Sequence, residues 1–137
     1  MGLQFTPMTT PEPSLYNALG GESSLRALVD RFYDIMDTAP EAAHIRTFHA
    51  KNLKQSREKL YLFLSGWVGG PPLYAERYGH PRLRQRHFFF SIGPQERDEW
   101  LWCMNKALDE SPIAPDLVQS LKVRFSTFAD FMRNQEE

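Results

Sequence analysis

The chain lacks several features that would place it in the commonest functional classes. It has one cysteine, Cys103, among 137 residues, which excludes an intramolecular disulfide and a structural zinc site built on paired thiolates. We expect Cys103 to be a small buried hydrophobe on a helix rather than a reactive thiol. Because 16 basic residues nearly cancel 17 acidic ones, no polybasic surface for nucleic acid or a membrane is expected.

The N-terminal stretch has no recognisable targeting signal. Residues 1–13 contain three prolines, no basic region and no long apolar run. We interpret them as a flexible leader that is neither a signal peptide nor a transmembrane segment. Ser14 is expected to cap a short helix after the leader. Residues 14–137 are then expected to form one domain, and the default location is the cytoplasm.

Common catalytic and phosphate-binding motifs are also missing. The four histidines form no His-x-x-x-His pair, and no serine lies in a glycine-flanked elbow. Gly69 and Gly70 are followed by two prolines, which have no N–H group to offer an anion. A multi-histidine metal centre and a phosphate loop are therefore not expected.

Hydrophobic periodicity predicts an all-α domain with four substantial helices. The first ends near Pro40 and carries an apolar face that includes Tyr33. The second runs from about residue 53 to 68, the third opens at Pro94, and the fourth follows Pro115. Shorter helical pieces are expected at residues 41–49 and 81–88, and an ordered loop of about ten residues after residues 69–72.

One histidine lies in an unusual setting. His87 directly follows Arg86 and precedes three phenylalanines that end at Phe90. A histidine that ends a short basic helix fits a charge near the negative C-terminus of that helix. It also fits a haem, whose propionates bind arginine, whose porphyrin packs against aromatic side chains and whose iron takes a single axial imidazole.

A pocket for such a group needs polar donors on its opposite wall. Tyr33 and Trp100 lie on apolar helical faces, and their O–H and N–H groups need partners when buried. Each also fits a core aromatic residue that bonds a backbone carbonyl. Ser56 adds a small hydroxyl on the core-facing stripe of the second helix.

Five stretches resemble the group II truncated haemoglobins, and the resemblance extends from about Tyr16 to the last helix. The stretches are residues 16–21, 31–33, 63–71, 79–87 and 96–104. The resemblance implies a truncated globin, in which a two-on-two helical sandwich surrounds haem b (iron protoporphyrin IX).

The resemblance also implies roles for single residues. His87 is then the proximal iron ligand, Tyr33 the distal tyrosine, and Trp100 the indole that reaches over the ligand. Lys59 and Arg86 are then the partners of the haem propionates. The apolar pocket lining comes from Leu60, Phe63 and Phe90. Ser56 falls at the position where classical globins carry a distal histidine.

A third polar distal position is occupied in this family by Tyr, Phe or His. Either Phe48 or His49 fills it here, and the flanking residues favour His49. His80 is expected to fix its loop rather than bind iron, and His44 is expected at the surface.

The function implied is binding of dioxygen, and of NO and CO, at a His-ligated iron with distal Tyr and Trp hydrogen bonds. The alternative is a haem enzyme that converts nitric oxide to nitrate or turns over peroxide with an external reductase. A helical protein without haem is a third possibility. His49 or Tyr33 is a candidate sixth ligand of the ferric iron, and a monomer and a homodimer both remain open.

Overall fold

Helices form every regular element in the part of the chain that is described. The structure, a computed structural model, describes residues 14–79 and 93–132. The helices within those residues are α1 (Leu15–Leu19), α2 (Gly21–Thr38), α3 (Ala43–Arg46), α4 (Lys54–Trp67), α5 (Leu73–Tyr78), α6 (Pro94–Glu110) and α7 (Pro115–Phe131), with a 3-10 turn at Pro40–Ala42 before α3.

Local sequence explains where the helices begin and end. The hydroxyl of Ser14 accepts the Asn17 N–H at 3.2 Å and caps α1, as expected. Gly20 ends α1 in the left-handed region, at a φ of 115°, where a residue with a Cβ is strained. Pro94 and Pro115 stand in the first turns of α6 and α7, where the missing N–H costs nothing.

The four long helices pack as two layers around one core. Helix α2 contacts both α4 and α6, and α6 contacts α7. Aromatic contacts join α4 to α7, since Trp67 stacks on Phe125 with ring centroids 4.7 Å apart. The predicted all-α, two-on-two arrangement is confirmed. The largest fully buried side chains come from all four helices: Phe32, Phe125, Leu25, Met36, Leu64, Met104, Leu108, Leu121 and Val29.

Two of the shorter elements differ from the prediction. The loop expected after residues 69–72 contains helix α5, whose buried residue is Tyr74. Helix α3 ends at Arg46, three residues before the predicted end. The Arg46 guanidinium donates to the carbonyls of His49, Ala50 and Lys51, which turns the chain out of the helix.

The single cysteine is buried, as expected. Cys103 has no exposed surface, and burial raises the pKa of its thiol to about 12. The thiol is therefore neutral at physiological pH, and a reactive thiolate is disfavoured. Within residues 14–79 and 93–132, no helix has the length and apolar character needed to cross a bilayer.

Candidate functional site

Three of the four residues expected on the distal side, Tyr33, His49 and Trp100, are linked through ring contacts, and we call this group the distal wall. The Tyr33 ring lies 5.8 Å from the His49 ring, nearly perpendicular to it. Phe32 contacts both Tyr33, at 4.8 Å between ring centroids, and Trp100, at 5.1 Å. Three elements thus contribute to this wall: α2, the turn after α3, and α6.

Tyr33 is a buried, neutral phenol. Its side chain is 5% exposed, and burial raises the pKa of its hydroxyl well above the ordinary value, an effect that the nearby Arg57 cation only partly offsets. Among the described residues, none hydrogen-bonds to the Tyr33 hydroxyl or to the Trp100 indole N–H. A protonated phenol and an indole on one wall are therefore left to donate to something else.

The two candidates for the third distal position lie against different side chains. Phe48 turns towards His44, with ring centroids 5.2 Å apart, whereas His49 meets Tyr33. The Nδ1 atom of His49 lies 3.0 Å from the carbonyl oxygen of Ile45. This bond requires a proton on Nδ1, so it orients the ring and selects one tautomer. The arrangement favours His49 over Phe48 beside the tyrosine.

Two glutamates of α6 hold the segment that carries His49. Glu99 accepts the Ile45 N–H at 2.9 Å, and a carboxylate oxygen of Glu96 lies 2.6 Å from Nε2 of His44. The other oxygen of Glu96 accepts the Gly93 N–H at 2.6 Å. Neither glutamate was predicted from the sequence as a site residue. A Glu three residues after Gly93 is a helix-start signal, and it marks Glu96.

The position of His44 is only partly as expected. Its side chain is 43% exposed, so it lies at the surface, but it is also bound to Glu96. Burial alone would raise the pKa of Glu96, yet the Gly93 N–H and His44 together hold it below the usual value. The ionised carboxylate therefore favours the folded state.

The low pKa of Glu96 predicts a defined pH dependence. Its contribution to stability is present above the ordinary pKa of 4.5 and is lost as the pH falls through the lowered value. We expect Glu96→Gln to cost about 1–3 kcal/mol at neutral pH, because a charged acceptor is lost. This loss of stability shrinks as the pH falls below 4.5 and Glu96 becomes protonated. Denaturant unfolding at several pH values measures it.

A matched control for this prediction is Glu76→Gln. Glu76 is an exposed glutamate of α5, so the same chemical change there is expected to leave the unfolding free energy nearly unaltered. An equal loss for Glu96→Gln at neutral and at acid pH would contradict the role given to its charge.

Half-buried apolar side chains of α4, α6 and α7 converge next to the distal wall. The Phe128 ring lies 5.6 Å from Phe63, 5.6 Å from Trp67 and 6.1 Å from Trp100. All four rings, and Leu60 as well, keep part of their surface uncovered by the described residues. A flat hydrophobic group fits against such a surface.

Two further predicted residues lie on α4 at the side of this surface. Ser56 is half-buried and Lys59 is exposed. The Lys59 ammonium lies 5.6 Å from the centre of the Tyr78 ring, which holds the amine near the end of α5. The other predicted residues, His87, Arg86, Phe90 and His80, and the helix expected at 81–88 lie outside the described residues.

Known proteins similar to this chain include group II truncated hemoglobins. The Group 2 truncated hemoglobin YjbI of Bacillus subtilis (strain 168) is 37% identical over 122 residues, which cover 89% of each protein. The group II 2-on-2 hemoglobin of Agrobacterium tumefaciens is 47% identical, with a TM-score of 0.85 over 90% of this chain and 95% of that one.

The fold match is equally close for a second solved structure. The cold-adapted truncated hemoglobin of the Antarctic marine bacterium Pseudoalteromonas haloplanktis TAC125 is 43% identical, with a TM-score of 0.86 over 89% of this chain and 98% of that one. The profile of the bacterial-like globin family matches residues 14–134. The chain therefore belongs to the bacterial-like globins, as a haem-binding and gas-binding globin of the group II truncated type.

Proposed function

We propose that this globin binds dioxygen reversibly, together with NO and CO, at the iron of a haem b that His87 ligates. Tyr33 and Trp100 donate hydrogen bonds to the gas. The observation that carries the proposal is the pair of donors, the O–H of the buried Tyr33 and the N–H of the half-buried Trp100, which no described residue engages. A diatomic ligand that carries partial negative charge when bound accepts hydrogen bonds from both donors.

The residues present fit a haem on physical grounds. The converging rings of Phe63, Trp67, Trp100 and Phe128 offer the apolar surface that a porphyrin face needs. Leu60 and, from the sequence, Phe90 extend that lining. Lys59 and Arg86 are the proposed cationic partners of the propionates. When bound, the haem supplies a ferrous iron with one position open to a gas.

The distal residues then decide how long a gas is retained. Tyr33 keeps its proton because its pKa is raised, so it acts as a donor and not as a phenolate. His49 packs against the tyrosine ring and limits its rotation. The small side chain of Ser56 leaves room on the α4 side. Two donors in a water-poor site favour slow release, which suits scavenging or sensing better than bulk delivery.

A spectroscopic gas exchange tests the proposal. The purified ferrous protein is equilibrated with oxygen, flushed with argon and then exposed to CO, and its visible spectrum is recorded at each step. We expect distinct, reversible spectra with isosbestic points. A spectrum that no gas alters would contradict the proposal. Sustained conversion of nitric oxide to nitrate with an external reductase would move the assignment to the enzyme alternative.

A further inference from the structure

Arg57 joins α4 to α2 directly beside the distal tyrosine. Its Nη1 atom donates to the Asp30 carbonyl at 2.9 Å and to the Asp30 carboxylate at 3.3 Å. Its Nη2 atom donates to the Asp34 carboxylate at 2.8 Å. We call these three residues the Arg57 latch. The arginine side chain is 28% exposed, much less than either of its acidic partners.

The latch stands between a surface cleft and Tyr33. A cleft of about 190 Å³ opens between α2 and α4, and Arg57 forms part of its wall; the other lining residues are Arg26, Val29, Asp30, Lys54, Glu58 and Tyr61. On its other side, the Arg57 guanidinium carbon lies 6.0 Å from the centre of the Tyr33 ring. The arginine thus borders the cleft and the distal wall at once.

The side chains at this boundary differ in how easily they move. Val29 lies one helical turn before Tyr33, also lines the cleft, and is 1% exposed. It is fixed by core packing. Arg57 is instead held at its tip by exposed carboxylates, and such pairs break at modest cost. Of these two side chains, Arg57 is therefore the one that can rotate without a rearrangement of the core.

We propose that the Arg57 latch controls the passage of small ligands between the α2–α4 cleft and the distal side. This inference rests on the proposed function, because the ligand concerned is a diatomic gas. In this proposal the latch opens only while a ligand passes and is closed in both end states. It therefore sets the height of a barrier and leaves the two end states alone, so that it affects the association and dissociation rates by the same factor.

Ligand kinetics on the haem-loaded protein test the latch. In Arg57→Ala we expect CO association after flash photolysis and CO dissociation by replacement to accelerate together by about tenfold, which equals ~1.4 kcal/mol at the barrier. The affinity for CO stays unchanged. Hydrogen exchange of the backbone amides in residues 29–36 is also expected to quicken, because the Arg57 side chain no longer packs over this part of α2.

Arg26→Ala is the matched control. Arg26 lines the same cleft and also pairs with acidic residues, Glu22 and Glu58, but its guanidinium lies over Tyr61, 3.9 Å from the ring centre. Its removal is expected to leave both CO rates unchanged. Arg57→Lys keeps the positive charge but lacks the guanidinium group that bonds Asp30 and Asp34 at the same time. Its CO rates should therefore fall between those of the wild type and Arg57→Ala.

Asp34→Asn weakens the same latch from the α2 side and is expected to accelerate both rates to a smaller degree. It provides a second variant if Arg57→Ala lowers the unfolding free energy. Unchanged rates in Arg57→Ala and Asp34→Asn would overturn the proposal, as would a change in dissociation alone. Failure of the proposed gas binding has a different signature, since the haem-loaded wild type would then give no CO spectrum at all. Failure of the donor role of Tyr33 alone would leave gas dissociation unaltered in Tyr33→Phe while the latch variants still moved both rates.

Discussion

Oxygen dissociates about ten to a hundred times faster from the Tyr33→Phe variant than from the wild type, if the phenol donates to the bound gas. This increase in the dissociation rate corresponds to the loss of one hydrogen bond between the phenol and the bound oxygen in a desolvated site. The aromatic ring remains, so contacts with Phe32 and His49 are kept. Stopped-flow replacement of oxygen by CO measures the rate.

Tyr61→Phe is the matched control for this variant. Tyr61 is buried to a similar degree, 3% exposed against 5% for Tyr33, but it lines the cleft under Arg26. Its loss of a hydroxyl is expected to leave oxygen dissociation unaltered. Equal rates for wild type, Tyr33→Phe and Trp100→Phe would refute the donor roles.

Trp100→Phe should also accelerate oxygen release, because it removes the second donor of the distal wall. In the Tyr33→Phe/Trp100→Phe double variant, we expect the change in the activation free energy of oxygen release to differ from the sum of the two single changes. The two effects are coupled because both donors bind one small ligand. Trp102→Phe is the control on the same helix, where the indole lies 5.9 Å from the Lys106 ammonium. No change in gas release is expected there.

His87→Gly is expected to weaken haem binding by more than about 100-fold, since the loss of an outer-shell partner of a metal ligand alone costs 10–100-fold. Added imidazole should restore a coordinated ferrous spectrum by filling the space that the side chain leaves. Haem titration by absorbance, with and without imidazole, measures both effects.

His80→Gly is the control from the same stretch of sequence. It is expected to keep the haem affinity and the spectrum of the wild type, because His80 is assigned to its loop. If His80→Gly lost haem and His87→Gly did not, the two roles would have to be exchanged.

The long helices were predictable because their signals are local. Apolar residues three and four apart mark α2, and prolines mark the starts of α6 and α7. Helix α5 was missed because six residues with a single buried side chain, Tyr74, carry no periodic signal. The early end of α3 depends on where one arginine side chain donates, which spacing alone does not reveal.

The residues proposed for the distal side differ in how visible they are in the sequence. Tyr33 and Trp100 stand out as amphipathic aromatics on apolar helical faces. The supporting charges did not stand out, because Glu96, Glu99 and Arg57 look like ordinary surface residues of helices. Their partners in other elements lie 23 to 54 residues away in sequence, so only the fold brings them together.

A haem titration tests the central claim most directly. Haem is added stepwise to the purified haem-free chain while the Soret band is recorded, and the ferrous product is then exposed to CO. We predict saturation at one haem per chain and a shift of the band with CO. A chain that gives no Soret band beyond that of free haem, however much haem is supplied, would contradict the account.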